Sequence, residues 1–390
     1  MKRLLVFGVL AVWTVTACSL IDARGSGDAG AMQPRPLSGL ADGQHIGAIV
    51  GFESYDASLQ QEVDDAWQQA LDAGMRIGRV QLEWNELEIQ PGIYDEQRLV
   101  DELERIVSDG LTPFVSFYAI DSGGPVLPAD LSDPDSPTLI AGGASIDDPG
   151  VVERYRELLA WVIPIVVQYD AWVVSISNEP EGYLDDHPDQ APHFLSFVEQ
   201  AVAEIHKLDA SLPVTVTLTS TVIDQKPGYF DELMTSLDVA VYNYYPLRID
   251  EELQFALREP LTETVPQHVD TLVAAAQGRP VVFQELGAPA SDKATNQIGS
   301  SPELQATFFD IFFDEMAETP EIRAAYVFQL VDWSEELSQL ITDPLRDEGF
   351  EPLANTMDEW LTTVGLLEYP SGDRRPAFDH FIEAIEGTVN

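Results

Sequence analysis

Short apolar runs rich in β-branched and aromatic residues recur along the chain, at 46–52, 77–82, 112–118, 172–177, 214–220, 239–243, 280–283 and 325–330. Between them the apolar positions change to helical spacing, over 59–73, 96–108, 151–168, 194–208, 229–236, 267–277, 302–317 and 377–385. The short runs read as buried strands and the 3.6-residue stretches as amphipathic helices. Gly74, Gly110 and Gly278 fall where helices should stop. Eight strand–helix units in succession predict an α/β chain folded as a single (β/α)8 TIM barrel rather than an open doubly wound sheet. No G-x-G-x-x-G follows the first strand, which weighs against a dinucleotide-binding fold.

The first 42 residues break this rhythm. Lys2 and Arg3 precede an apolar or small run, Leu4 to Ala17, that is too short to span a bilayer and has the form of an export signal. It ends Val15-Thr16-Ala17-Cys18, which resembles a bacterial lipobox, and Cys18 is the only cysteine in the chain. The resemblance implies a signal peptide over 1–17 and lipidation of Cys18, which would make the protein a membrane-anchored lipoprotein. With Ser19 rather than Asp after the cysteine, it implies an outer-membrane or cell-surface location. Residues 18–42 carry no apolar periodicity and read as a flexible tether, leaving the barrel at 43–390.

Charge narrows the function. The chain has 20 Lys and Arg against 67 Asp and Glu, a net charge of −47, and Lys occurs only at 2, 207, 226 and 293. Such a surface repels phosphates and excludes nucleic acid as a partner. Acid excess spread over the whole chain, with so few lysines, predicts a halophilic protein whose repulsion is screened at molar salt. One cysteine excludes an internal disulfide and a cysteine-based zinc site. The six histidines form no H-E-x-x-H pair, and neither G-x-S-x-G nor a phosphate-binding loop occurs, so no metal or organic cofactor is expected.

Reactive residue types fall at strand ends, where barrels of this kind place their chemistry. The fourth strand ends Ser177-Asn178-Glu179-Pro180 and the seventh ends Gln284-Glu285-Leu286-Gly287. Each delivers a carboxylate to one bowl, and two facing carboxylates meet the requirement of retaining glycoside hydrolysis. On these two motifs, and over about residues 45–388, the sequence resembles glycoside hydrolase clan A, the retaining (β/α)8 glycosidases, with features of family 5.

That resemblance implies Glu179 as acid/base, Glu285 as nucleophile and Asn178 as the partner of the sugar 2-hydroxyl. Arg79, in Arg79-Val80-Gln81-Leu82-Glu83-Trp84, matches the arginine that sits beside the nucleophile. On strand six, Val241-Tyr242-Asn243-Tyr244-Tyr245-Pro246 offers Tyr245 or Tyr244 as the hydroxyl that donates to it; strand alternation admits only one, and alignment on Asn-x-Tyr favours Tyr245. Trp333, after strand eight, is the candidate sugar platform, with Phe328 at the alternative alignment. The run Trp84-Asn85-Glu86-Leu87-Glu88 followed by Gly92-Ile93-Tyr94-Asp95 is similar to an architectural element of the clan. The family 5 histidine at the end of strand three is missing from Phe117-Tyr118-Ala119-Ile120-Asp121. The expectation is therefore a monomeric retaining β-glycosidase or endo-glycanase acting on an oligo- or polysaccharide. The competing class is a catalytically silent carbohydrate-binding surface lipoprotein.

Overall fold

The computed structural model describes residues 37, 40, 42–51, 59–136, 139–250, 254–293 and 296–388. The expected signal peptide, the lipidation site Cys18 and most of the tether lie outside the described residues. Eight long strands form: β1 (His45–Ile49), β2 (Ile77–Glu83), β3 (Thr112–Tyr118), β4 (Val173–Asn178), β5 (Val214–Thr219), β6 (Ala240–Tyr244), β7 (Val281–Leu286) and β8 (Ile322–Phe328). Each is followed by a helix: α1 (Gln60–Ala73), α2 (Glu96–Ser108), α3 (Pro149–Gln168), α4 (Ala191–Leu208), α5 (Pro227–Met234), α6 (Leu261–Ala275), α7 (Pro302–Glu318) and α8 (Pro376–Thr388).

The strands pair in the order β1-β8-β7-β6-β5-β4-β3-β2, every neighbour parallel. The two ends of this path meet: a Cβ on Gly47 of β1 would lie 2.9 Å from the Ile77 carbonyl oxygen at the start of β2. The sheet is thus a closed (β/α)8 barrel, and the absence of a side chain at Gly47 is what lets β1 and β2 approach.

One helix begins well before the pattern that predicted it. Periodicity starts α6 after Pro266, but the helix begins at Leu261, because Leu261, Val265, Val269 and Leu272 form one buried stripe across the proline. Proline removes a single backbone bond there, and the stripe outweighs it. Ser301 caps α7 by accepting from Leu304 N, with Pro302 at its first position. Two further helices, Glu335–Asp347 and Glu351–Leu361, form an insertion between β8 and α8.

Inside the barrel, alternation sorts the side chains by height. Ile77, Phe114, Val173, Val241, Val282, Ala324 and Tyr326 pack together as an apolar lower layer, joined by Leu37 and Leu40 from before β1. Two residues further along β3, β4, β6 and β7 the inward positions become Ser116, Ser175, Asn243 and Gln284, all buried. The upper barrel is polar because it is the floor of the bowl.

Candidate active site

The structure brings Glu179 and Glu285 into one polar cluster, and strand irregularities do the aiming. The β6–β7 register slips by one residue: Tyr242 faces Phe283, yet Asn243 faces Glu285. This bulge lets both Gln284 and Glu285 address the bowl, where regular alternation would send one of them outward. The β4–β5 register slips in the same way between Ser175 and Asn178. The chain then turns at Glu179 with φ +43°, a left-handed conformation rarely adopted by a residue with a side chain. Gly287 completes the arrangement: a Cβ there would lie 2.6 Å from the Phe328 carbonyl oxygen, so only glycine lets the end of β7 press against β8.

Glu285 is held by two donors. Arg79 Nη1 donates to Oε1 at 2.9 Å, and the Tyr245 hydroxyl donates to Oε2 at 2.8 Å. Arg79 is itself buried, and its Nη2 donates to the Tyr118 hydroxyl at 3.0 Å and to Gln81 Oε1. Burial opposes the Arg79 charge, but Tyr118 and Glu285 outweigh it and raise its proton affinity.

Glu179 meets only neutral donors. Asn243 Nδ2 donates to Oε1 at 2.8 Å, and the Ser122 hydroxyl lies 3.4 Å from Oε2. Burial first, then the nearby Glu285 charge, pushes its carboxyl up to about 7. Glu83 at the end of β2 is pushed up to about 7 by burial and then by Asp121, and burial also raises Asp121. The carboxamide of Asn178 is tied into the framework by three hydrogen bonds. Its Oδ1 accepts from Asn243 Nδ2 at 3.2 Å and Gln284 Nε2 at 3.3 Å, and its Nδ2 donates to Asp121 Oδ1 at 2.8 Å. Gln284 Oε1 in turn accepts from Thr217 Oγ1 at 2.7 Å, so one network of side chains crosses the bowl floor from β3 to β7.

Alternation separates the two tyrosines. With Val241 and Asn243 facing inward, Tyr245 follows them into the bowl. Tyr244 does not join the site: its ring packs among Phe283, Phe308 and Phe312, and its hydroxyl lies 3.3 Å from His268 Nδ1 of α6. Trp333 also departs from expectation. It is only 8% exposed and packs with Leu345, Leu353, Met357 and Leu361 as the anchor of the insertion helices. The aromatic rings next to the Glu285 end are instead Phe328, edge-on to Tyr245 at 5.8 Å, and Trp360, edge-on to it at 4.8 Å.

Asn243, Gln284, Ser122 and Trp360 are the site residues that motif reasoning missed. The first two carried a signal, since each is a polar residue interrupting an apolar strand next to a singled-out position. Trp360 carried none, because it belongs to an insertion outside the repeating unit. The Trp84–Asp95 stretch is a framework: Trp84 Nε1 donates to Glu88 Oε2 at 2.8 Å, Gly92 N to Glu88 Oε1 at 2.6 Å, and Tyr94 stacks on Trp161 at 4.7 Å. Asp332, just beyond the end of β8, is taken up by a two-point pair with Arg375 at 2.8 and 2.7 Å. Among the described residues no cluster of His, Cys, Asp and Glu could hold a metal ion.

No family profile and no curated protein sequence matches the chain. Solved structures do. An exo-β-1,4-mannosidase, Op5Man5 from Opitutaceae bacterium strain TAV5, superposes with a TM-score of 0.63 at 17% identity over 91% of this chain, which spans 62% of that protein's length. A GH5_18 protein from Bifidobacterium longum subsp. longum ATCC 55813, solved with Manβ1-4GlcNAc, gives 0.61 at 15% identity, covering 89% of this chain and 79% of that one. A GH113 β-1,4-mannanase gives 0.50 at 14% identity, covering 88% and 98%. The chain therefore shares the barrel fold of clan A glycoside hydrolases.

Proposed function

We propose that this (β/α)8 barrel is a retaining β-glycosidase, with Glu179 as acid/base and Glu285 as nucleophile. The observation that carries the reading is the asymmetry between two carboxyls in one bowl: one buried among neutral donors and holding its proton to about pH 7, the other faced by a guanidinium and a phenol. Glu179 protonates the leaving oxygen while Glu285 attacks the anomeric carbon. Water activated by the now ionised Glu179 then hydrolyses the glycosyl-enzyme. Tyr245 and Arg79 orient the attacking oxygens, and the Asn178–Asn243–Gln284 network fixes the floor on which the sugar rests.

A mannosidase and a mannanase among the similar folds make β-mannosides the first substrates to try. The test is sugar release from β-mannan, β-glucan, xylan and galactan, with the matching aryl β-glycosides, in molar salt. Hydrolysis with retained anomeric configuration supports the reading. Binding of these glycans without turnover would favour the silent carbohydrate-binding alternative.

We place the protein on the cell surface as a monomeric, salt-adapted lipoprotein, on the strength of the Cys18 motif and the −47 charge. Cys18→Ser should move it out of the membrane fraction with activity intact, and its Tm should climb with NaCl. Retention in the pellet after a salt wash would overturn the anchor, and a flat Tm series the salt adaptation.

A further inference from the structure

The proposed double displacement uses Glu179 and Glu285 and leaves Asp121, a further carboxylate of the bowl, without a role. Asp121 reaches the site because the chain beyond β3 doubles back. Ile120–Asp121 pairs antiparallel with Gly124–Pro125, and Asp121 also pairs in parallel with Asn178 at the end of β4. The next residue is locked in place too: Ser122 N donates to the Asn178 carbonyl at 2.9 Å, and Tyr183 N donates to the Ser122 carbonyl at 3.1 Å. Asp121 and Asn178 thus stand side by side on a rigid edge next to Glu179.

Their polar atoms are divided unequally. Asn178 Oδ1 is saturated by Asn243 and Gln284, and one Nδ2 hydrogen goes to Asp121 Oδ1. Nδ2 has a second hydrogen. Asp121 Oδ1 accepts both from Asn178 and from the Ser122 hydroxyl at 3.1 Å, whereas Oδ2 accepts no hydrogen bond from a described residue and the side chain stays partly open to solvent. The pair therefore offers one N–H donor beside one carboxylate acceptor. A hydroxyl satisfies both, accepting a hydrogen bond from Asn178 and donating one to Asp121.

We propose that Asp121 reads the C2 substituent of the sugar held between Glu179 and Glu285, accepting a hydrogen bond from it next to the one Asn178 donates. This rests on the glycosidase reading and deepens it by adding an acceptor beside Asn178 at the sugar's C2 position. Asp121 is then a specificity-determining residue, with no proton transfer of its own in the reaction.

The experiment is a two-by-two comparison of kcat/KM, using the full chain and Asp121→Asn against a dinitrophenyl β-mannoside and its C2-deoxy counterpart. A hydrogen bond to a charged acceptor contributes roughly 10–100-fold. The unsubstituted protein should lose that factor more than Asp121→Asn when the hydroxyl is removed, and the two proteins should be alike on the deoxy sugar. Asp121→Ser, compared at matched Tm, should repeat the pattern. Equal slowing on both sugars would show that Asp121 acts only through the framework and would overturn the inference. Absence of turnover of any aryl glycoside by the unsubstituted protein is a different result and overturns the glycosidase reading itself.

Discussion

The bowl has two unlike halves. On the side built by β4, β5 and β6, Glu179 is buried among an amide and a hydroxyl, with no cation among the described residues in hydrogen-bond contact. On the side built by β7, β8 and β2, Glu285 faces Arg79 and Tyr245, and Tyr245 is wedged between Phe328 and Trp360. The residue type and the depth are similar, so neither explains the difference in role. Burial without a counter-charge stabilises the protonated carboxyl, and burial against a guanidinium stabilises the carboxylate. On the proposed assignment, the acid and the nucleophile share one bowl because its two sides present different partners to a carboxyl.

Exchanging each carboxylate for alanine breaks the comparison most severely. Glu285→Ala should lose on the order of 10⁴-fold or more on every substrate, since no glycosyl-enzyme can form. Glu179→Ala should fail on unactivated glycans yet still be glycosylated by a dinitrophenyl glycoside, whose leaving group needs no proton. Azide should rescue both variants, giving the β-azide from Glu179→Ala and the α-azide from Glu285→Ala on a β-glycoside. The same anomer from both, read by NMR, would show that the two carboxylates do not occupy opposite faces.

The tyrosines sharpen the contrast at a smaller scale. Tyr245→Phe removes a donor to a carboxylate and should lower kcat by roughly 10–100-fold. Tyr244→Phe, whose hydroxyl points to His268 outside the bowl, should leave kcat within about threefold. Equal effects in a steady-state assay would contradict the division that strand alternation makes.

The pH profile comes next. With Glu179 pushed up to about 7, kcat/KM on an unactivated glycoside should fall about tenfold per pH unit above that value as the acid loses its proton. The limb should vanish for glycosylation by a dinitrophenyl glycoside. Persistence of the same limb there would assign it to another group.

The smallest effect concerns stability. Glu181, two residues beyond Glu179, accepts from Thr219 N at 2.9 Å, and burial pushes it up to about 8. A carboxyl with raised affinity contributes stability that is full below the usual carboxylate range and lost as pH climbs to about 8. Glu181→Gln keeps the protonated shape, so its Tm should drop less between pH 5 and pH 8 than that of the unsubstituted protein. The difference is worth at most a few kcal/mol. An unchanged drop would place the pH dependence in other groups.

Much of this was legible in the chain, for identifiable reasons. Short apolar runs rich in β-branched and aromatic residues marked all eight strands, and position on those strands or at their ends singled out Glu179, Glu285 and Arg79. Alternation also separated Tyr245 from Tyr244. What stayed hidden was non-periodic. The register slips that turn Asn178 and Glu285 into the bowl have no compositional mark, and neither does the return of Asp121 and Ser122 onto β4. Trp333 looked like a platform because it follows β8, but the insertion that buries it has helical patterning only in a stretch outside the strand–helix repeat. Local pattern reveals elements; contacts between distant loops decide which aromatic ring borders the site.

Trapping the intermediate tests the central claim most directly. A dinitrophenyl glycoside carrying fluorine at C2 slows both chemical steps, and its good leaving group lets the covalent species accumulate. Incubation with the full chain, followed by proteolysis and peptide mass spectrometry, should show one sugar-sized addition, on the peptide containing Glu285 and on that residue. The same label should form on Glu179→Ala and be absent from Glu285→Ala. A label on Glu179 or Asp121, or none on a protein that hydrolyses the parent glycoside, would contradict the assignment of Glu285 as the nucleophile.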